Sequence, residues 1–354
     1  MRLRALVGLI ALLTGSSVSP TAFLTGRQTE RQGVVSVDVT VFDQKGSRAS
    51  GLAREDFEVL VDGQARPIES ATVDDRPVLV ALLLDLSSSS PTQPPILKPA
   101  IEKRFWNSLG PSDRVRLGFV GVSPWGLSSS YGVERRALQS VLRLLDLPPT
   151  YTVQDKLVPT TSSVTPQIGV RERRATGVRM GPSPIWDAVY DATSALQKEP
   201  GSRTIILLAD GRATGNVHGL DETITHALAA GISIHVVSAA EDNLIAVDAS
   251  NAALVRPGVY LKTLADVTGG SFASLVDAVS ASHPNETPSA EKISEQVGDL
   301  LTRVLRLAHA QYRLGFLVPT LDSSLHRLEV RVTRAGLTAR SPARFIARGA
   351  TLSR

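Results

Sequence analysis

Cysteine is absent from this sequence of 354 residues. Its absence excludes disulfides, thiolate metal sites and a cysteine nucleophile. Aromatic residues make up only 5% of the chain, and no dense run of Lys and Arg with interleaved aromatics occurs. The net charge of +4 therefore does not predict nucleic-acid binding, and we expect no nucleic-acid partner.

Long apolar runs are scarce, although apolar residues make up 42% of the chain, which is enough for a sizeable core. The exception follows Arg2 and Arg4, where residues 5–13 are mostly apolar and small residues come next. This pattern predicts a secretory signal peptide over residues 1–26, with an uncleaved N-terminal anchor as the alternative. We expect a secreted, periplasmic or cell-envelope protein with no stable membrane span after cleavage.

Both ends of the remaining chain show the two-residue period of half-buried strands. Apolar residues alternate with polar ones over residues 34–42 near the start, and over 312–318 and 328–332 near the end. Asp62-Gly63 is a hairpin signal. Neither end has enough strands for a stable core. We therefore expect strands in residues 32–75 and 310–348 to pack together as one small β-sandwich.

The middle of the chain, residues 76–309, has a different pattern. Residues 78–84 are all apolar, as in a central parallel strand buried on both faces. Further strands are predicted at 115–122, 204–208 and 232–237, and helices around 97–109, 185–196, 261–267 and 293–307. This alternation predicts an α/β domain with a doubly wound, mostly parallel sheet. Residues 150–182 are predicted to be a long loop.

Hydroxyl and carboxylate side chains follow the predicted strands, at the edge where doubly wound sheets bind ligands. Asp85, Ser87 and Ser89 come directly after the first core strand, Ser183 precedes a helix, and Asp210 ends a later strand. Oxygen-only ligands suit Mg²⁺, Mn²⁺ or Ca²⁺ rather than zinc. The sequence thus predicts a site for one divalent cation.

The predicted ligands carry little net charge. The hydroxyls can bind an ion as neutral groups, and the two carboxylates can hold metal-bound waters. An ion held in this way stays strongly electrophilic and lacks one ligand. We expect an acidic side chain of a protein partner to fill the open position.

Asp85-x-Ser87-x-Ser89 resembles the Asp-x-Ser-x-Ser signature of the metal-ion-dependent adhesion site in von Willebrand factor A domains. Ser183 stands where the family's Gly-Gly-Thr-x-x-x-Asp-Ala motif has its Thr, and it keeps the hydroxyl. Asp210 looks like the Asp of the family's Thr-Asp-Gly segment. The resemblance implies that these five residues bind the metal.

The resemblance extends beyond the site. Residues 262–270 look like the family's closing stretch, which ends in Thr-Gly-Gly. Residues 51–59, 62–63 and 312–316 are similar to parts of a bacterial group of exported proteins related to A domains. The likeness covers roughly residues 34–346. It implies an exported, non-catalytic module for metal-dependent adhesion or protein binding.

Other interpretations of the site residues remain open. Asp85 and Ser183 are also suitable helix N-caps, and Asp210-Gly211 is a suitable turn. The site could also keep its shape and bind metal poorly. A serine hydrolase would use Ser87 or Ser183, but no Gly-x-Ser-x-Gly elbow is present. A nucleotide-binding protein is disfavoured because no phosphate-binding loop follows the first core strand.

Two further groups of residues require an interpretation. Arg171, Arg173 and Arg174 make the long loop basic, which indicates either a solvated loop or a contact for an acidic partner. Among the histidines, His235 lies within a predicted strand and is expected to be a core or edge residue rather than a metal ligand. Two others are expected in solvent: His218 and His226.

Overall fold

The computed structural model describes residues 33–74, 76–87, 90, 92–121, 127–146, 182–240, 245–246, 254–283, 287–309 and 311–348. No helix in this part of the chain is long and apolar enough to cross a membrane. The predicted signal peptide lies outside the described residues. So do four of the predicted site residues: Ser89, Arg171, Arg173 and Arg174.

The described ranges contain fifteen strands and seven α-helices. The strands are β1 (Gly33–Asp43), β2 (Phe57–Val61), β3 (Gln64–Arg66), β4 (Ile68–Asp74), β5 (Val78–Asp85), β6 (Arg114–Val120), β7 (Ser202–Ala209), β8 (Ser233–Ser238), β9 (Ile245–Ala246), β10 (Leu254–Val255), β11 (Phe272–Ser274), β12 (Gln311–Val318), β13 (Leu325–Val332), β14 (Leu337–Arg340) and β15 (Arg344–Ile346). The helices are α1 (Pro94–Ala100), α2 (Arg135–Leu144), α3 (Ile185–Leu196), α4 (Leu220–Ala230), α5 (Pro257–Thr268), α6 (Leu275–Ser282) and α7 (Ala290–Ala308).

Strands from the two ends of the chain form a β-sandwich. One antiparallel sheet has the order β14-β1-β12-β4 and the other the order β15-β13-β2-β3. The alternating valines of β1 are buried between the sheets, and Phe316 of β12 and Phe345 of β15 pack there edge to face. Asp62-Gly63 is the hairpin turn between β2 and β3, as predicted. The expected sandwich of N- and C-terminal strands is confirmed.

The central sheet has five parallel strands in the order β11-β8-β7-β5-β6. Every residue of β5 is buried, because helices cover both faces of the sheet. One face packs against α1, α2, α6 and α7, and the other against α3, α4 and α5. The predicted α/β class with a doubly wound sheet is confirmed.

Several elements differ from the prediction. Helix α2 was not predicted, although Leu138, Val141, Leu142 and Leu145 follow a helical spacing. Helices α4 and α6 were not predicted either. The first core helix does not remain regular: α1 continues as a π-helical segment, Ile101–Phe105, and a 3-10 turn, Trp106–Ser108. Helix α5 starts earlier than predicted, with Pro257 in its first turn, a position that suits proline.

The Asp113 carboxylate forms hydrogen bonds with both segments that connect the sandwich to the central sheet. Asp113 accepts hydrogen bonds from the main-chain N–H groups of Val78, at 2.9 Å, and Gly110, at 2.6 Å. Its other partner is His309, whose Nε2 lies 2.6 Å away. Burial alone would raise the pKa of Asp113, but these hydrogen bonds lower it. Val78 begins β5, where the chain enters the α/β domain, and His309 follows α7, where the chain leaves it. Asp113 therefore links these two segments.

Candidate functional site

The candidate site lies where the connections of the parallel sheet change direction. Strand β6 lies on one side of β5, whereas β7, β8 and β11 follow on the other side. A crevice forms at such a point, beyond the carboxyl ends of the two strands that flank it. Here the flanking strands are β5 and β7. Asp85 is the last residue of β5, and Asp210 directly follows β7.

The residues predicted to share a site are brought together in this crevice. Asp85 accepts a hydrogen bond at Oδ1 from the Ser87 N–H, at 2.9 Å, and one at Oδ2 from the Ser183 hydroxyl, at 3.2 Å. The exposed fractions of Asp85, Ser87, Ser183 and Asp210 are 0, 1, 2 and 3%. These four polar residues are therefore buried in one crevice. Two of them, Asp85 and Ser183, are 98 residues apart in sequence.

Ser183 is positioned by the loop after β7 rather than by its own helix. Its N–H donates to Thr214 Oγ1 at 2.9 Å, and its carbonyl accepts from the Thr214 N–H at 2.9 Å. Asn216 Oδ1 accepts from the Trp186 N–H at 2.8 Å and so caps the start of α3. The interpretation of Ser183 as the N-cap of α3 is wrong, because Asn216 accepts the hydrogen bond from the first turn of this helix. The Ser183 hydroxyl instead donates to Asp85.

Gly121, which the sequence analysis did not single out, packs directly against Ser87. It follows β6 and has a φ of +81°, a conformation that other L-residues rarely adopt. A Cβ at this position would lie 3.0 Å from both the N and the Cα of Ser87. The Leu86 N–H also donates to the Val120 carbonyl, at 3.0 Å. Together these contacts fix the loop after β5 against the neighbouring strand.

The surroundings of Asp85 disfavour the ionised form of its carboxylate. Burial raises the pKa of Asp85, and the negative charge of Asp210 raises it further. Hydrogen bonds from Ser87 and Ser183 only partly offset these two effects. A buried carboxylate beside a second carboxylate is costly unless a positive charge compensates it. A bound cation would supply such a charge.

Only one carboxylate oxygen of Asp210 accepts a hydrogen bond from the described residues. Oδ1 accepts from the Arg212 N–H at 2.9 Å. Oδ2 is buried and has no hydrogen-bond partner among the described residues. Those residues also contain no metal-suited group of three or more His, Cys, Asp or Glu side chains. A cation here would depend on two carboxylates and neighbouring hydroxyls, and this all-oxygen set fits Mg²⁺ better than zinc.

No protein-family model and no curated protein matches the sequence. Similar solved structures include the conserved hypothetical protein BatB of Bacteroides thetaiotaomicron, with 16% identity over 65% of this chain and 99% of that one, at a TM-score of 0.38. An aerotolerance-related membrane protein of Bacteroides fragilis has 15% identity over 64% and 99%, at 0.38. A von Willebrand factor type A protein of Catenulispora acidiphila has 9% identity over 91% and 74%, at 0.40.

The parallel sheet, the helices on both of its faces and the carboxylates at two adjacent strand ends agree with the arrangement predicted from the sequence. The α/β domain has a doubly wound fold, and we call it the A-like domain after the family whose motifs its sequence resembles.

The two histidines expected in solvent are part of a stack of rings on the A-like domain. The ring of Tyr190 lies between those of His218 and His226, with centroid distances of 3.8 and 4.0 Å. Both histidines are half-buried, so the prediction that they are solvated is wrong. The N–H of His218 also donates to Asp187, whose carboxylate accepts from the Val217 N–H as well. These contacts fasten the loop before α4 to α3.

His235 is a core residue of the A-like domain, as predicted. Its Nδ1 accepts from the Ser271 N–H at 3.0 Å and lies 2.9 Å from the Ser271 hydroxyl. Its Nε2 is buried without a hydrogen-bond partner among the described residues. Burial, together with the charge of Arg340, lowers the pKa of His235 to about 3. The imidazole is therefore neutral in the folded protein at ordinary pH.

We expect His235 to make the protein acid-labile. The unfolded chain protonates this residue near pH 6.5 and the folded chain only near pH 3. The unfolded state thus binds one more proton in this interval, and stability falls as the pH falls. His235→Gln should make the slope of unfolding free energy against pH shallower by about 1.4 kcal/mol per pH unit. Urea unfolding between pH 6 and pH 4.5 measures this, and unchanged slopes would contradict it.

Proposed function

We propose that the chain is an exported, non-catalytic protein-binding module of the cell envelope or extracellular space. In this proposal it holds one Mg²⁺, or Mn²⁺ or Ca²⁺, at Asp85, Ser87, Ser89, Ser183 and Asp210, and binds a carboxylate of a protein partner. The observation that carries the proposal is the buried Oδ2 of Asp210, which has no hydrogen-bond partner among the described residues and lies in the same crevice as the buried Asp85. Native structures rarely leave such an oxygen without a partner.

The hydroxyls and carboxylates have separate roles in this proposal. The hydroxyls of Ser87 and Ser183 would bind the ion as neutral ligands, and the carboxylates of Asp85 and Asp210 would balance its charge. Because the protein supplies only these two negative charges, the bound ion would keep affinity for a carboxylate from outside. A carboxylate–metal contact shielded from water is strong enough to decide whether a partner binds.

The serine hydrolase alternative has no support in the site. The Ser183 hydroxyl donates to a carboxylate of Asp85, not to an imidazole that could take its proton. Four histidines that could act as a base have other partners: His235 contacts Ser271, His309 contacts Asp113, and His218 and His226 stack on Tyr190. We therefore propose binding without catalysis.

Besides the proposed ligand Ser89, two parts of the proposal rest on residues outside the described ranges. The signal-peptide pattern at residues 1–26 leads us to propose export, which fractionation of the host cells can check. The basic residues Arg171, Arg173 and Arg174 precede Ser183 in sequence and would offer an acidic partner a second contact. Both parts are independent of whether the crevice binds metal.

A titration with Mn²⁺ tests the metal site. We expect the full chain to bind one Mn²⁺, observed as loss of the free-ion signal in electron paramagnetic resonance, and Mg²⁺ to displace it. Ser183→Ala should weaken binding at least about tenfold because it removes a ligand oxygen. The matched control is Ser140→Ala, since the hydroxyl of Ser140 on α2 donates only to its own helix.

The outcomes of this titration are distinct. Loss of affinity in Ser183→Ala with an unchanged Ser140→Ala control supports the proposed site. Equal affinities in both variants would place any bound ion elsewhere. If no Mn²⁺ binds at millimolar concentration, the crevice has kept the shape of a metal site without its function. Partner capture from the envelope fraction should then be insensitive to EDTA as well.

A further inference from the structure

Arg212 places a positive charge beside Oδ2 of Asp210, the buried oxygen without a hydrogen-bond partner among the described residues. Its Nε lies 3.8 Å from Asp210 Oδ2, which is too long for a hydrogen bond but close enough for an ion pair. The Arg212 side chain is 43% exposed, whereas that of Asp210 is 4% exposed. The guanidinium therefore approaches the crevice from the solvent side and remains free to turn away.

The main-chain N–H and the guanidinium of Arg212 interact with different carboxylate oxygens of Asp210. The Arg212 N–H fixes Asp210 Oδ1 at 2.9 Å, so the orientation of the carboxylate does not depend on the guanidinium. The guanidinium offsets part of the negative charge that Asp85 and Asp210 concentrate in the crevice. A divalent ion at Asp210 Oδ2 would bring a second positive charge to the same place, where the two cations repel each other.

We propose that the Arg212 guanidinium stabilises the metal-free site by compensating the charge of its carboxylates. We further propose that the same guanidinium weakens the binding of a divalent ion at this site. This inference rests on the proposed metal site. In the metal-free protein, Arg212 compensates the carboxylates. When an ion binds, the guanidinium turns to solvent at the rim of the site. Arg212 thus lowers the affinity for metal without being a ligand, and it keeps the empty crevice folded.

The test compares Arg212→Gln with Arg303→Gln in the full chain. Arg303 is an exposed arginine on α7, so both variants lose one positive charge. We expect Arg212→Gln to lower the Kd for Mn²⁺ by about three- to tenfold, because a partly exposed charge is removed beside the ion. It should also lower the melting temperature in EDTA and enlarge the increase caused by Mg²⁺. Arg303→Gln should change neither quantity.

The results separate this inference from the proposed function. A Kd for Arg212→Gln within twofold of the Arg303→Gln value would overturn the role of Arg212, while the metal site itself would stand. An unchanged melting temperature in EDTA would also count against that role. If Arg212→Gln binds Mn²⁺ and the unaltered chain does not, the inference is supported in its strongest form. If neither binds Mn²⁺, both ideas fail together.

Discussion

Asp85→Asn should abolish metal binding, with a Kd for Mn²⁺ at least about 100-fold higher, and should abolish any metal-dependent partner binding. The amide cannot supply the negative charge that a divalent ion requires. The same substitution should raise the free energy of unfolding in EDTA. The reason is that an ionised Asp85 is destabilised by burial and by the charge of Asp210, and Asn keeps an oxygen that accepts from Ser87.

The control for this prediction is Asp191→Asn, which removes one negative charge from an exposed position on α3. It should leave the affinity for Mn²⁺ unchanged. EDTA should have the effect of Asp85→Asn on partner binding, and added Mg²⁺ should restore binding to the unaltered chain but not to the variant. A partner whose affinity changes with neither EDTA nor Asp85→Asn would show that binding occurs elsewhere, and substitution of the basic residues Arg171, Arg173 and Arg174 would be the next test.

Gly270→Ala should destabilise the fold by about 3–5 kcal/mol, enough to leave much of the chain unfolded. Gly270 lies between α5 and β11, where the chain passes against β8. A Cβ there would lie 1.9 Å from the Ile234 carbonyl oxygen and 2.9 Å from the His235 nitrogen. These are main-chain atoms of a central strand, so neither a rotamer change nor a small side-chain shift relieves the clash.

Urea unfolding and the yield of soluble protein measure this effect. Gly132→Ala is the matched control, because a Cβ at Gly132 meets no atom within 4 Å. It should change the free energy of unfolding by less than about 1 kcal/mol. A Gly270→Ala protein as stable as this control would mean that α5 and β8 separate easily, contrary to the packing described above.

The sequence predicted those parts of the fold that local pattern determines. Strands β5 and β7 contain continuous apolar runs, at residues 78–84 and 205–209, as strands covered on both faces do. Strand β4 was not predicted, since its exposed edge position leaves it mostly polar. The register that pairs Asp38 with Arg313 was not predictable either, because it depends on both strands together.

The same distinction applies to the candidate site. Asp85, Ser87, Ser183 and Asp210 could be predicted because each lies at a strand or helix end, and the ends of parallel strands meet at one edge. Arg212, Thr214 and Asn216 could not, since their roles follow from how one loop folds back towards α3. A loop of this kind shows no periodicity that a sequence pattern could reveal.

The pairing of the two chain ends has a consequence for synthesis of the protein. Asp38 and Arg313, which form an ion pair across β1 and β12, are 275 residues apart. At about 5–20 residues per second, the ribosome adds the second strand roughly 14–55 s after the first. All residues of the A-like domain emerge within this interval, while the first strands still lack their partners. Until β12 arrives, these strands present open edges to other chains, and aggregation of nascent chains competes with folding at this stage.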